Sequence, residues 1–139
     1  MHKEKPLNPV RKKIEDNKMS LYFVSGEYGG KIDYFIVNEK GKAITVWMDE
    51  EPIINNGNYL LKYQDLHGNA DGITKTNAQY LMLVMNTGAK MNLHFFPTKA
   101  ISEGIMFENW KDIESKKLDG KFFEVPIEWL KNLKGIKKI

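Results

Sequence analysis

Hydrophobic side chains are densest between Gln79 and Phe96, where the runs QYLMLVM and AKMNLHFF flank Asn86-Thr87-Gly88. This pattern predicts a central β-hairpin. A three-residue loop with Gly88 in the left-handed conformation makes Met85 and Ala89 the closing pair. Leu83 then faces Met91, Leu81 faces Leu93 and Gln79 faces Phe95. One face is wholly apolar, and the other carries Tyr80, Met82, Val84, Lys90, Asn92, His94 and Phe96. Closing on Thr87-Gly88 instead would scatter Asn92 and His94 among core residues, so the three-residue loop is expected.

Lys31 to Met48 repeats the pattern around Glu39-Lys40-Gly41, with Asn38 and Lys42 closing the loop. Ile36 pairs with Ile44, Tyr34 with Val46 and Ile32 with Met48 on an apolar face, while Asp33, Phe35, Val37, Ala43, Thr45 and Trp47 share its reverse. Further strands are expected at Ser20 to Ser25, Asn58 to Gln64 and Lys121 to Val125, with a short one at Ile105 to Phe107. Asn8-Pro9 opens a short helix to about Asn17, and Pro126 opens another on the stripe Ile127, Leu130, Leu133. Asn109 to Ser115 reads as a helical turn, Asp65 to Asn77 as a structureless loop, and residues 1–7 as a disordered tail.

Two hairpins with one greasy face each predict a mainly β, α+β fold. The form expected is a two-layer antiparallel sandwich or small, partly open barrel of six to eight strands, with a short helix near each end. The organisation expected is a basic tail and short helix over residues 1–18, then one β-rich domain over 19–139 with its C-terminal helix at about 126–134.

At 139 residues the chain suits one core. It has no cysteine, which removes disulfides, thiolate nucleophiles and cysteine-based metal sites. No run approaches a membrane span and the N-terminus lacks an apolar signal core, so a cytoplasmic location without a membrane is expected. The net charge of +3 is segregated: residues 1–18 carry +3, residues 19–115 carry −4 and residues 116–139 carry +4. An acidic body confines any nucleic-acid contact to the basic ends. Twenty of the 21 basic residues are lysine, and with the many Ile and Asn this composition points to an AT-rich bacterial or phage gene.

Candidate chemistry is sparse. Asp65, His67, Asn69 and Asp71 alternate like the opening of a calcium loop, but Ala70 stands where the turn glycine belongs and Thr76 where a bidentate Glu should close the shell. They are weak metal candidates, and turn formation accounts for them. Asp49, Glu50 and Glu51 read as a solvated strand end. The glycine-rich turn Gly26 to Gly30 lacks the Lys-Ser/Thr of a phosphate loop, so no cofactor is expected. No catalytic triad, HExxH motif or carboxylate pair is legible, and no enzyme is expected.

The outward aromatics are more informative. Phe35 and Trp47 on one hairpin, and Tyr80, His94 and Phe96 on the other, are not what a solvated sheet face needs. Either the C-terminal helix and the strand around Tyr22 and Phe23 cover them, or they form a binding surface. The expected function is a non-enzymatic protein-binding module, an inhibitor or adaptor of a larger partner. The alternative is a single-stranded nucleic-acid binder in which the basic termini supply charge and these aromatics stack. A metal-dependent hydrolase built on the Asp65 to Asp71 loop is the third reading.

Overall fold

The computed structural model describes residues 8–23 and 34–139. Among the described residues ten strands form two sheets, neither closed into a barrel, accompanied by three α-helices. Helix α1 (Asn8–Asp16) leads into β1 (Met19–Phe23), β2 (Tyr34–Asn38) and β3 (Ala43–Asp49). Next come β4 (Ile54–Asn55), β5 (Asn58–Gln64), a 3₁₀ turn at Gly72–Thr74, then β6 (Tyr80–Thr87) and β7 (Lys90–Pro97). The chain finishes with α2 (Thr98–Phe107), β8 (Asp112–Ser115), β9 (Gly120–Pro126), α3 (Ile127–Lys131) and β10 (Lys137–Lys138). One sheet has the order β1-β2-β3-β6-β7-β10, and the other β4-β5-β9-β8. The sandwich class is as expected. The strand number is higher, and the larger sheet is mixed because β3 runs parallel to β6.

The larger sheet is buried on both faces. On its outer face Val10 and Ile14 of α1, both 0% exposed, pack on Ile36, Val46, Met82, Val84, Leu93 and Phe95. On its inner face Leu81, Leu83 and Phe96 meet Tyr59, Leu61 and Val125 of the smaller sheet, closed by Ile101 of α2 and Leu130 of α3. Four consecutive residues of β6, Leu81 to Val84, are therefore all buried. A near-continuous apolar run is what a strand covered on both sides requires.

That double burial overturns the expected register of the β6–β7 hairpin. The loop is the two-residue Gly88-Ala89, with Thr87 opposite Lys90, Val84 opposite Leu93, Leu83 opposite His94 and Leu81 opposite Phe96. Gly88 has φ +62°, at the first loop position where a type II′ turn needs a glycine. With apolar cover on both sides, no register exposes a core residue, so segregating polar from apolar positions cannot select one. The β2–β3 hairpin follows its expected pairing: Tyr34 faces Val46, Ile36 faces Ile44, and Gly41 has φ +80°. Ile32, the Gly26 to Gly30 turn and the tail 1–7 lie outside the described residues.

Three local readings are corrected. Residues 98–107 are helix α2, where a short strand was expected at Ile105 to Phe107. Its Gly104 lowers helix propensity but lies where a Cβ would come within 2.5 Å of both the Trp110 and Trp129 rings, so packing outweighs propensity. Asp112–Ser115 is strand β8, paired with β9, instead of part of a helical turn. The Asp65 to Asn77 stretch is structured by a Gln64–Ala70 bridge and the 3₁₀ turn, which buries Ile73.

Candidate functional site

The five aromatic candidates do not form one surface. Tyr80 lies on the outer face, edge-on to Phe95 with ring centroids 6.4 Å apart and the Lys137 ammonium 5.5 Å from its ring centroid. Trp47, His94 and Phe96 share the opposite, inner face with Phe35, so the expected Tyr80–His94 pair does not exist. Phe96 is 1% exposed, and Trp47 packs half-buried into the same inter-sheet core. Leu130, Ile127 and Leu133 also enter that core, so the C-terminal helix does cover this face. Phe35 stays half-buried, between Tyr22 and Thr45 in the sheet.

His94 stacks on Phe96 with ring centroids 6.0 Å apart. Burial holds its pKa below the ordinary histidine value, and the charges of Lys138 and Lys131 add to the effect. The imidazole is a neutral, half-buried packing group at the sheet margin.

The candidate metal loop is occupied by its own hydrogen bonds. Oδ1 of Asp65 accepts the N–H groups of His67 and Asn69 at 2.8 and 2.9 Å, and Oδ2 accepts Nδ2 of Asn69 at 2.9 Å. The Asn69 amide, followed by these N–H groups, holds the Asp65 pKa below its usual value. Asp71 caps the 3₁₀ turn through the Gly72 N–H at 2.8 Å and pairs with Lys62 at 3.1 Å. His67 is exposed. Among the described residues no group of three or more His, Asp or Glu side chains is placed to hold a metal ion. Asp49, expected at a solvated strand end, is half-buried and accepts the Tyr59 hydroxyl at 2.7 Å.

The surface that stands out was missed in the sequence. In the core-facing stripe of α2, Ile101 and Gly104 are buried and Ile105 is half-buried, spaced as an amphipathic helix requires. Met106 and Phe107 fall off that stripe and are each 77% exposed. Glu103 lies one turn below them, and Glu108 follows directly. Trp110 and Trp129 meet edge to face at 4.7 Å over Gly104, anchoring the helix end. Reading 98–107 as a helix would have revealed the pair, because two large apolar residues then sit opposite the core stripe.

No protein-family model matches the chain, and no curated protein or solved structure matches it. Among the described residues no helix is long and apolar enough to cross a membrane.

Proposed function

We propose that the chain is a non-enzymatic protein-binding module, acting as an inhibitor or adaptor in the cytoplasm, and that it engages its partner through the outer end of α2. The observation that carries this reading is the exposure of the consecutive residues Met106 and Phe107 at the end of a helix braced by Trp110 and Trp129. Leaving each in water forgoes about 1.5–3 kcal/mol of burial energy, which a partner pocket would recover. Glu103 and Glu108 set a negative rim, so the complementary partner carries an apolar pocket edged by Lys or Arg.

The test compares capture from native-host extract by the wild-type chain and by a Met106→Ser/Phe107→Ser variant, quantified by mass spectrometry. One protein should be retained by the wild type and reduced at least about tenfold on the variant, a loss of about 1.4 kcal/mol or more. The melting temperature should be unchanged, because the lost side chains are exposed. Equal capture by both chains rejects this surface.

A second reading, single-stranded nucleic-acid binding, is favoured by a groove of about 590 Å³ between α1 and the β6–β7 turn, lined in part by Lys12, Lys13 and Lys90. Lys12 is already paired with Asp16 at 2.9 Å, which weakens it as a phosphate contact. Sub-micromolar oligonucleotide binding that falls steeply between roughly 50 and 200 mM salt would favour this reading over the first.

A further inference from the structure

The outermost strands of a sheet leave main-chain groups without a neighbour, and an extended peptide pairs with such an edge through main-chain hydrogen bonds. Of the strands that end the two sheets, β4 and β10 are two residues long, and the Arg11 guanidinium occupies the Leu21 carbonyl of β1 at 2.9 Å. Strand β8 is different. It pairs with β9 alone, and the Glu124 N–H donates to the Lys111 carbonyl at 2.8 Å. In the antiparallel register that sets Asp112 opposite Phe123, this bond turns the main chain of Lys111, Ile113 and Ser115 towards β9. The N–H and C=O groups of Asp112 and Glu114 therefore point outward, along an open edge.

That edge is marked by charge. Asp112 and Glu114 are exposed on one face of β8, and the half-buried Ile113 lies on the other. Oδ2 of Asp112 accepts the Tyr63 hydroxyl at 2.8 Å, and Lys121 stands 3.9 Å from Glu114, so neither carboxylate is in a close ion pair. Residues 103–114 carry −3, from Glu103, Glu108, Asp112 and Glu114 against Lys111, in a chain of net charge +3. The same segment holds Met106 and Phe107, and Phe107 is at most about 18 Å along the chain from Asp112. Two copies of β8 pairing antiparallel would set carboxylate against carboxylate, which disfavours a second copy as the occupant.

We infer that β8 accepts an extended basic segment of the partner as an added antiparallel strand. Its Lys or Arg side chains lie opposite Asp112 and Glu114, an apolar residue lies beside Ile113, and a further apolar residue reaches Met106 and Phe107. The inference rests on the protein-binding reading of the α2 end and gives the partner's basic rim its form.

The probe is acetyl-Lys-Val-Lys-Val-Lys-Phe-amide, titrated into the full chain by NMR and calorimetry at about 50 mM salt, where exposed charges are weakly screened. It should saturate one site, and the Asp112 and Glu114 amides, fast to exchange in the free chain, should gain at least about tenfold protection. The same peptide with Glu in place of Lys, and the basic peptide N-methylated at its lysine main-chain nitrogens, should each bind at least about tenfold more weakly. Glu114→Pro removes an outward N–H, a change that an edge strand tolerates, and should weaken binding at least about tenfold with the melting temperature retained. Glu114→Gln keeps that N–H and should cost only about two- to fivefold. Met106→Ser/Phe107→Ser should also weaken binding. A loss in that variant with none in Glu114→Pro overturns the inference while leaving the α2 surface in place. A loss in Glu114→Pro alone supports the added strand and counts against the α2 surface. The inference is also overturned by absence of saturable binding up to about 1 mM, by equal binding of the acidic or N-methylated peptide, or by a dimer of the free chain that Glu114→Pro dissociates.

Discussion

The Tyr59 hydroxyl, on a side chain only 1% exposed, donates a 2.7 Å hydrogen bond to Oδ2 of Asp49 at the end of β3. The pair ties the larger sheet to the smaller one, because Tyr59 belongs to β5. Burial raises the Asp49 pKa above its usual value, outweighing the opposing effect of the Tyr59 hydrogen bond. Burial, followed by the Asp49 charge, also pushes the Tyr59 phenol well above its own ordinary range.

This pair sets a pH dependence. The folded chain holds the Asp49 proton more tightly than the unfolded chain, so this residue's contribution to stability falls as pH rises from 3.8 through the raised pKa. Asp49→Asn keeps an acceptor for Tyr59 and should remove that decline, leaving the variant more stable than wild type at neutral pH. Tyr59→Phe should cost about 1.5–3 kcal/mol at neutral pH by stripping a half-buried carboxylate of its donor. Urea melts from about pH 4 to pH 8, a range that starts near the ordinary carboxylate pKa, check both signs.

His94 titrates in the opposite sense. Its folded pKa is lowered, so the unfolded chain takes up the proton first, and stability should decline as pH falls below 6.5 towards the lowered value. His94→Gln should flatten that part of the profile while leaving the Asp49 part intact. Urea melts of the two single variants, taken side by side, separate the contributions.

Gly104→Ala tests the tryptophan clamp. On helix propensity alone, alanine should stabilise α2 by about 0.8–1 kcal/mol. A Cβ within 2.5 Å of both rings should reverse the sign, to a net loss of about 1–3 kcal/mol from overpacking. A changed near-ultraviolet circular dichroism signal together with a lower melting temperature is the expected result, and a stabilised variant refutes the clamp.

Two left-handed glycines should differ in tolerance. Gly88 has φ +62° and open space around its missing Cβ, so Gly88→Ala should cost about 1–2 kcal/mol from backbone strain alone. Gly72, at φ +53°, would also drive a Cβ into the Lys62 carbonyl oxygen. Gly72→Ala should therefore be clearly the more damaging of the two in thermal melts, and equal losses would show that the 3₁₀ turn can shift aside.

Local signals carried much of the fold. The β2–β3 hairpin was legible because its loop glycine and its alternating face agree, and the short helices because Asn8-Pro9 and Pro126 mark their starts. The β6–β7 register was not legible, since Leu81 to Val84 are buried on both faces and polarity says nothing about pairing there. Helix α2 was hidden by Gly104, whose place is explained only by Trp110 and Trp129, the latter from a different part of the chain. The surface at Met106 and Phe107 was hidden with it. The outward aromatics Trp47 and Phe96 looked like a site because the second sheet that buries them cannot be seen from the hairpins alone.

The order in which the chain visits its sheets has a kinetic consequence. β1 to β3 lie in the larger sheet, β4 and β5 in the smaller, β6 and β7 in the larger, β8 and β9 in the smaller, and β10 in the larger again. The parallel β3–β6 pairing encloses the β4–β5 segment, and the β5–β9 pairing encloses the β6–β7 hairpin. The layers are laced through each other, so neither sheet can complete its pairing as an autonomous unit. Closing such long loops before their contacts form slows folding. Amides of β5 and β6 should therefore exchange hydrogen with the same free energy, that of global opening, although they belong to different sheets.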